Sequence, residues 1–129
     1  MIVGFGSDII DNRRIKNTLD RFGQKFKNRC FCKNEIQKSE NRYQKVNFFA
    51  KRYAAKEACA KALGTGLAKG VFWKDIEVAN NKDGKPYILL HKKALSRLKK
   101  LTQSKYKIEV SLSDELDYSI ANVIIFNDK

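Results

Sequence analysis

One uninterrupted stretch, residues 46–63, constrains the fold of this chain more than any other part of the sequence. The stretch is rich in alanine and lysine, contains neither glycine nor proline, and is followed directly by Gly64. Alanine and lysine are strong helix formers, and glycine is the commonest residue just beyond a helix end. The sequence therefore predicts a central helix of about five turns, around which the other elements must pack.

The remaining segments predict an α+β fold. Apolar residues that alternate or run together predict strands near 2–9, 76–78, 87–90, 108–112 and 118–126, and turn residues at 80–85 predict a hairpin. Helical spacing predicts further helices over 13–26, 34–42 and 92–101, and in the first of these Ile15, Leu19, Phe22 and Phe26 form a stripe expected to face the core. We expect a single domain over residues 1–129, with an antiparallel sheet covered by helices.

The chain is strongly basic, with 27 Lys+Arg against 14 Asp+Glu and a net charge of +13. The excess is regional, because residues 12–61 hold 15 bases against 4 acids and residues 62–106 hold 10 against 3. A concentrated positive field speeds encounter with any polyanion, including an acidic protein or a nucleic acid. Charge alone therefore leaves the identity of the partner open.

The few cysteines, the single histidine and the hydropathy of the sequence restrict the cellular compartment and the possible catalytic chemistry. Three cysteines and the lack of a secretory signal predict a reducing, cytoplasmic compartment, and no apolar run approaches the roughly 20 residues that span a bilayer. The Cys30-x-Cys32 pair lacks visible partners for a tetrahedral zinc site, and Cys59 is expected to be a packed thiol. His91 is the one histidine, and because it follows a predicted strand we expect it to be a surface or structural residue. Any catalysis is expected to depend on carboxylates, lysines and an added metal ion.

Two carboxylates and a lysine are the main catalytic candidates. Asp8 shares a strand face with Gly4 and Gly6, so a ligand or a neighbouring strand could come close, although a helix cap is an alternative role for Asp8. Glu57 and Lys61 stack on one face of the long helix, where an ordinary ion pair is the alternative. Carboxylates with a lysine suit a hard ion such as Mg²⁺ and a phosphate ester, which predicts phosphoryl or phosphoester transfer.

The turn Gly64-Thr65-Gly66 is a weaker motif. It has the composition of a phosphate-binding loop, but such loops precede a helix, whereas this turn follows one. Taken by itself, the turn is a helix stop.

Four blocks of sequence resemble a known family. GSDII at residues 6–10, FAKRYAAKEA with KALGTG over 49–66, GKP at 84–86 and VSLS at 110–113 closely resemble the holo-acyl-carrier-protein synthases, the short bacterial type of 4′-phosphopantetheinyl transferase. The resemblance spans the whole chain. It implies the phosphopantetheinyl transferase fold, and transfer of phosphopantetheine from coenzyme A to a serine of apo acyl carrier protein in fatty acid biosynthesis. It also implies a homotrimer with sites between subunits.

The resemblance also implies individual roles. Asp8 and Glu57 match the Mg²⁺ ligands of the family, and the ion would bridge the diphosphate of the coenzyme. Glu57, directly or through a water held by the ion, would help remove the serine proton, while Lys61 would stabilise or protonate the leaving phosphate. The expected coenzyme-site residues are Arg52, Gly64, Thr65, Gly66, Lys85 and Pro86, and the acidic carrier is expected to dock on Arg13, Arg14, Arg21 and Lys25.

The chain departs from the family at one position, and one alternative function fits its charge. Asp114 stands where many members carry histidine, so no histidine-based role is expected in that loop.

The alternative function is that of a small basic nucleic-acid-binding protein. The sequence lacks an aromatic RNA-recognition signature and a cysteine–histidine finger, which favours the transferase over the nucleic-acid-binding protein.

Overall fold

The computed structural model describes residues 1–67 and 70–128. Five strands and five α-helices follow one another in the order β1 (Ile2–Asp11), α1 (Asn12–Phe22), α2 (Gln24–Cys30), α3 (Lys33–Glu40), α4 (Lys45–Ala62), β2 (Ile76–Asn80), β3 (Pro86–Leu90), α5 (Lys92–Leu101), β4 (Tyr106–Asp114) and β5 (Tyr118–Asn127). A 3₁₀ turn at Trp73–Asp75 precedes β2. None of the helices in the described ranges is both long and apolar enough to cross a membrane.

The strands form two antiparallel sheets. The larger sheet has the order β1-β5-β4, and the smaller is the β2-β3 hairpin. The predicted α+β class and both hairpins are confirmed, but the prediction of one sheet is wrong. The hairpin β2-β3 forms its own sheet, and an ion pair between Lys85 and Glu109, 3.2 Å apart, joins it to β4.

Helix α4 packs directly onto β1 because that strand presents glycine to it. A Cβ on Gly6 would lie 1.8 Å from the carbonyl oxygen of Ala58, and a Cβ on Gly4 would lie 2.0 Å from that of Ala62. Any side chain at either position would push the helix away. The bare face of β1 is therefore filled by a helix and not by a ligand or a strand, and this contact brings Asp8 alongside α4.

The helix predicted over 13–26 is wrong, because the chain breaks it at Gly23. This glycine has φ 52° and ψ −122°, a conformation outside the helical region and available mainly to glycine. Helix α1 ends at Phe22 and the separate helix α2 follows. The inward stripe is consequently confirmed for Ile15, which is buried, but not for Phe22, which is 51% exposed.

A buried ion pair, which the sequence analysis did not predict, joins α3 to α4. Lys56 and Glu35 are both fully buried and their side chains are 2.8 Å apart. The ammonium of Lys56 also donates to the carbonyl oxygens of Trp73 and Ile76, while Glu35 accepts from the backbone N–H of Cys32 and of Val78. The pair therefore connects both helices to the 3₁₀ turn and to β2.

The cysteines and the histidine have structural surroundings. All three cysteines are free, and Cys59 is the packed thiol that the sequence predicted. Burial raises the pKa of the Cys30 and Cys32 thiols to about 11, so both are protonated and weakly nucleophilic at neutral pH. His91 precedes α5 and lies 2.9 Å from Glu77 on the surface, as expected for a structural residue.

Candidate active site

The three main candidates converge where α4 crosses β1. Glu57 and Lys61 occupy successive turns of α4, and Asp8 lies on the β1 face that contacts this helix. The ammonium of Lys61 donates to Asp8 Oδ1 at 3.0 Å and to the carbonyl oxygen of Ser7 at 2.9 Å. Asp8 does not cap a helix, because the cap of α1 is Asp11. We refer to Asp8, Glu57 and Lys61 as the carboxylate–lysine cluster.

The two carboxylates of this cluster repel each other electrostatically. The pKa of Glu57 lies above its ordinary value, first because the side chain is partly buried and second because of the negative charge of Asp8. Lys61 and Arg14 oppose this shift with their positive charges. The cluster thus combines two competing anions with one cation that already contacts Asp8.

The donor set of this cluster fits a hard divalent cation. Mg²⁺ is usually held by one or two protein carboxylates and completes its shell with water and substrate phosphates. Within the described parts of the chain, His, Cys, Asp and Glu side chains do not gather in threes to form a closed metal cage. Asp8 and Glu57 therefore form an open pair, whose mutual repulsion a bound cation would relieve.

The residues predicted to bind the coenzyme form two separate groups in the structure. Arg52 and Pro86 line a groove of about 320 Å³, which also contains Arg42, Phe48 and Lys51. Arg52 is 4% exposed, donates to Asn80 Oδ1 at 2.8 Å, and has a buried Nε without a hydrogen-bond partner in the described chain. We refer to this cavity as the Arg52 groove; Lys85 lies beside it, between Gly84 and Pro86.

The turn at residues 64–66 forms the other group, at the end of α4. The backbone N–H groups of Thr65 and Gly66 both donate to the carbonyl oxygen of Ala60, so they close the helix as a helix stop does. Gly64 and Gly66 adopt positive φ, of 80° and 57°. Arg97, which the sequence analysis did not single out, donates to the carbonyl oxygen of Leu63 at 2.8 Å and lies beside this turn.

The carboxylate–lysine cluster adjoins the turn at residues 64–66, because the backbone N–H of Gly64 donates to the carbonyl oxygen of Lys61 at 3.0 Å, but it is separated from the Arg52 groove. Arg52 and Glu57 are five residues apart on α4, which places them about 140° apart around the helix axis. Arg52 faces β2 through Asn80, whereas Lys61, one turn beyond Glu57, faces β1 through Asp8. Within one chain, the Arg52 groove and the carboxylate–lysine cluster therefore face different neighbours.

The basic residues of α1 and α2, which were predicted to form a docking surface, differ in their contacts. Arg13 is held by Asp11 at 2.8 Å and by Asp117 at 3.6 Å, so much of its charge is already compensated. Arg21 stacks over the exposed ring of Phe22, 5.2 Å from its centroid. Lys25 lines a cavity of about 490 Å³ together with Thr18, Phe22, Phe26, Arg29, Cys30, Tyr53 and Trp73. The exposed aromatic ring of Phe22 is the feature of this surface that the sequence prediction missed.

Comparison with known proteins assigns the family. The model of the 4′-phosphopantetheinyl transferase superfamily matches residues 4–121 of the chain. The chain belongs to this superfamily. A holo-[acyl-carrier-protein] synthase of Rhizobium meliloti (strain 1021) is 50% identical over 125 residues, which cover 97% of this chain and 90% of that protein. The family resemblance of the four sequence blocks is thereby confirmed.

Solved structures of the superfamily share the fold over almost the whole length. The holo-[acyl-carrier-protein] synthase of Neisseria meningitidis has a TM-score of 0.86 and 35% identity, covering 98% of this chain and 100% of that one. The Bacillus anthracis synthase, in complex with CoA (3′,5′-ADP), has a TM-score of 0.81 and 34% identity, covering 99% of each chain. The predicted phosphopantetheinyl transferase fold is confirmed.

Proposed function

We propose that this transferase moves the 4′-phosphopantetheine group of coenzyme A onto a serine hydroxyl of an apo acyl carrier protein. The serine oxygen forms a new bond to the phosphorus that carries pantetheine, and the bond from that phosphorus to the bridging oxygen of the diphosphate breaks. Adenosine 3′,5′-bisphosphate leaves. The convergence of Asp8, Glu57 and Lys61 carries the proposal, and the names of the full-length relatives support its substrates.

Each member of the carboxylate–lysine cluster has a task in this reaction. Glu57 accepts the serine proton, because its carboxylate is partly buried and a better base than an ordinary glutamate. Lys61 places a positive charge beside the departing 5′-phosphate and can give it a proton. Asp8 holds the ammonium of Lys61 in place through the 3.0 Å hydrogen bond. Asp8 and Glu57 would hold Mg²⁺, which when bound neutralises charge on the diphosphate.

We further propose that the active site is completed between copies of the chain in a homotrimer. The sheet face opposite α4 carries exposed Phe5, Ile9 and Ile120, and Ile9 pairs directly with Ile120. Apolar side chains clustered on an open sheet face favour burial against another subunit. In such a trimer the Arg52 groove of one copy would meet the carboxylate–lysine cluster of the next; the different neighbours of Arg52 and Lys61 within one chain support this arrangement.

Mixing two inactive variants tests the shared site. We expect Glu57→Gln and Arg52→Met to be nearly inactive alone and to regain activity when unfolded together and refolded as mixed oligomers. Random association gives about a quarter of the sites an intact Glu57 from one chain and an intact Arg52 from another. Transfer assays and light scattering measure recovery and mass. No recovery in verified mixed oligomers would show that each chain carries its own complete site.

We propose that the carrier protein docks on the surface of α1 and α2, through Arg13, Arg14, Arg21 and Lys25. Phe22 provides an exposed apolar ring among these bases, and the cavity beside it offers room for an apolar side chain. A cationic rim around an apolar contact suits an acidic protein, because charge steers the encounter and apolar burial holds it. Arg14 also acts on Glu57 electrostatically, so this surface adjoins the carboxylate–lysine cluster.

Salt and charge reversal test this docking surface. We expect the double variant Arg21→Glu/Lys25→Glu to raise KM for the carrier about tenfold or more, and to leave KM for coenzyme A nearly unchanged. The KM of the unaltered enzyme for the carrier should rise with salt, as the screening length falls to about 8 Å near physiological ionic strength. Lys99→Glu/Lys100→Glu on α5 is the control. If the control variant raised KM for the carrier equally, the overall charge of the enzyme, and not this surface, would steer the encounter.

Mass spectrometry of the carrier tests the function itself. Incubation with coenzyme A, Mg²⁺ and apo acyl carrier protein should add roughly 340 daltons to the carrier, the mass of one phosphopantetheine group. The absence of a mass gain with any divalent metal, together with tight RNA binding, would favour a nucleic-acid-binding protein. Three free thiols support our further proposal that the enzyme acts in the reducing cytoplasm. We also propose that residues 1–129 form one domain.

A further inference from the structure

Asp114 is held against the long helix α4. It is the last residue of β4, and its Oδ2 accepts a hydrogen bond from the Asn47 side chain at 2.9 Å. Its Oδ1 lies 3.4 Å from the ammonium of Lys51. The two charged side chains are only 26% and 19% exposed, so water screens their attraction less than it does on an open surface.

Lys51 is the link between Asp114 and the Arg52 groove. Its ammonium lies 4.3 Å from the centroid of the Phe48 ring, and the guanidinium of Arg42 lies 4.6 Å from the same centroid. Lys51, Arg42 and Arg52 are the three cations that line the groove, and no acidic side chain stands among the described residues of its wall. Asp114 is not among the lining residues, and it compensates one of the three charges through its ion pair with Lys51.

We propose that Asp114 limits the affinity of the Arg52 groove for phosphate-bearing ligands by partly neutralising Lys51. The proposal rests on the function proposed above, in which coenzyme A enters and adenosine 3′,5′-bisphosphate must leave in every turnover. Both molecules are polyanions. A groove with three uncompensated cations would hold the product more tightly and release it more slowly. Asp114 therefore acts through Lys51 as a positioning and charge-setting residue and has no contact of its own with the reacting atoms.

The variant Asp114→Asn tests this role, because asparagine keeps the size of the side chain and can still accept the hydrogen bond from Asn47. Calorimetry at low salt should show adenosine 3′,5′-bisphosphate binding about three- to tenfold more tightly than to the unaltered enzyme. KM for coenzyme A should fall and kcat should fall with it, since release becomes slower. A merely structural role would instead raise KM or lower the melting temperature without tightening product binding.

A double-mutant cycle shows whether the effect passes through Lys51. In a Lys51→Met background, which weakens binding by itself, Asp114→Asn should change the Kd of the product less than about twofold. Asp20→Asn is the matched control, because it removes one carboxylate from an exposed pair with Lys16 on α1 and should leave the Kd unchanged. Equal tightening in the control or in the Lys51→Met background would overturn the proposal.

The outcomes separate this proposal from the function on which it rests. If the unaltered enzyme neither binds coenzyme A nor modifies the carrier, the proposed function fails. If the unaltered enzyme does both and Asp114→Asn binds the product with unchanged or weaker affinity, the role of Asp114 alone is overturned.

Discussion

Replacing Glu57 with glutamine is expected to lower the rate of phosphopantetheine transfer by about 10²- to 10⁴-fold, the usual contribution of a general base. Glutamine keeps the size of the side chain but can neither accept the serine proton nor offer a charged oxygen to a cation. The fold should survive, because Glu57 is only partly buried and makes no hydrogen bond that joins elements of the described structure. Single-turnover transfer to apo carrier, followed by mass spectrometry, measures the loss.

A second variant, tested beside Glu57→Gln, separates the role of Glu57 as a base from the role of the two carboxylates in holding a cation. Asp8→Asn removes one charged oxygen and the ionic partner of Lys61, so we expect a strong loss of transfer that excess Mg²⁺ partly restores. Glu57→Gln should not recover in the same titration, since the base is gone. Glu40→Gln is the control, because it removes an exposed carboxylate that pairs with Lys27. Full activity of Glu57→Gln would refute the role assigned to this residue.

The carboxylate–lysine cluster could be predicted from sequence because each of its parts has a local signature. The spacing of Glu57 and Lys61 follows from the period of a helix, and the alternation of β1 places Asp8 on the face that carries Gly4 and Gly6. The sequence could not predict which element packs against that face. The closeness of Asp8 to Lys61 depends on α4 packing against bare glycine backbone, which is a tertiary contact.

The errors of the sequence analysis also have physical causes. Phe22 continues a helical stripe, but Gly23 ends the helix beside it, so the ring is exposed where the periodicity predicts burial. Glu35 and Lys56 look like ordinary surface charges, because burial of an ion pair depends on partners distant in sequence. Spacing along the chain carries no information about such partners.

Replacing Lys56 with methionine is expected to destabilise the protein by about 3–5 kcal/mol, the usual cost of breaking a buried ion pair. The fully buried carboxylate of Glu35 would lose its counter-charge, and two carbonyl oxygens, those of Trp73 and Ile76, would lose a donor. Urea unfolding at one fixed protein concentration measures the change, since subunit association adds to the apparent stability. This loss of stability should exceed the loss caused by removing any single exposed charge.

A compensating change at Glu35 separates lost charge from lost packing. The double variant Lys56→Met/Glu35→Gln should be more stable than Lys56→Met alone, because it leaves no unpaired buried charge and glutamine can still accept from the N–H of Cys32. Lys16→Met breaks an exposed pair with Asp20 and should cost less than about 1 kcal/mol. If Lys56→Met cost no more than Lys16→Met, the pair would contribute nothing to holding α4 between β2 and α3. The direction in which α4 presents Glu57 to Asp8 would then depend on the packing of α4 against β1 and β5.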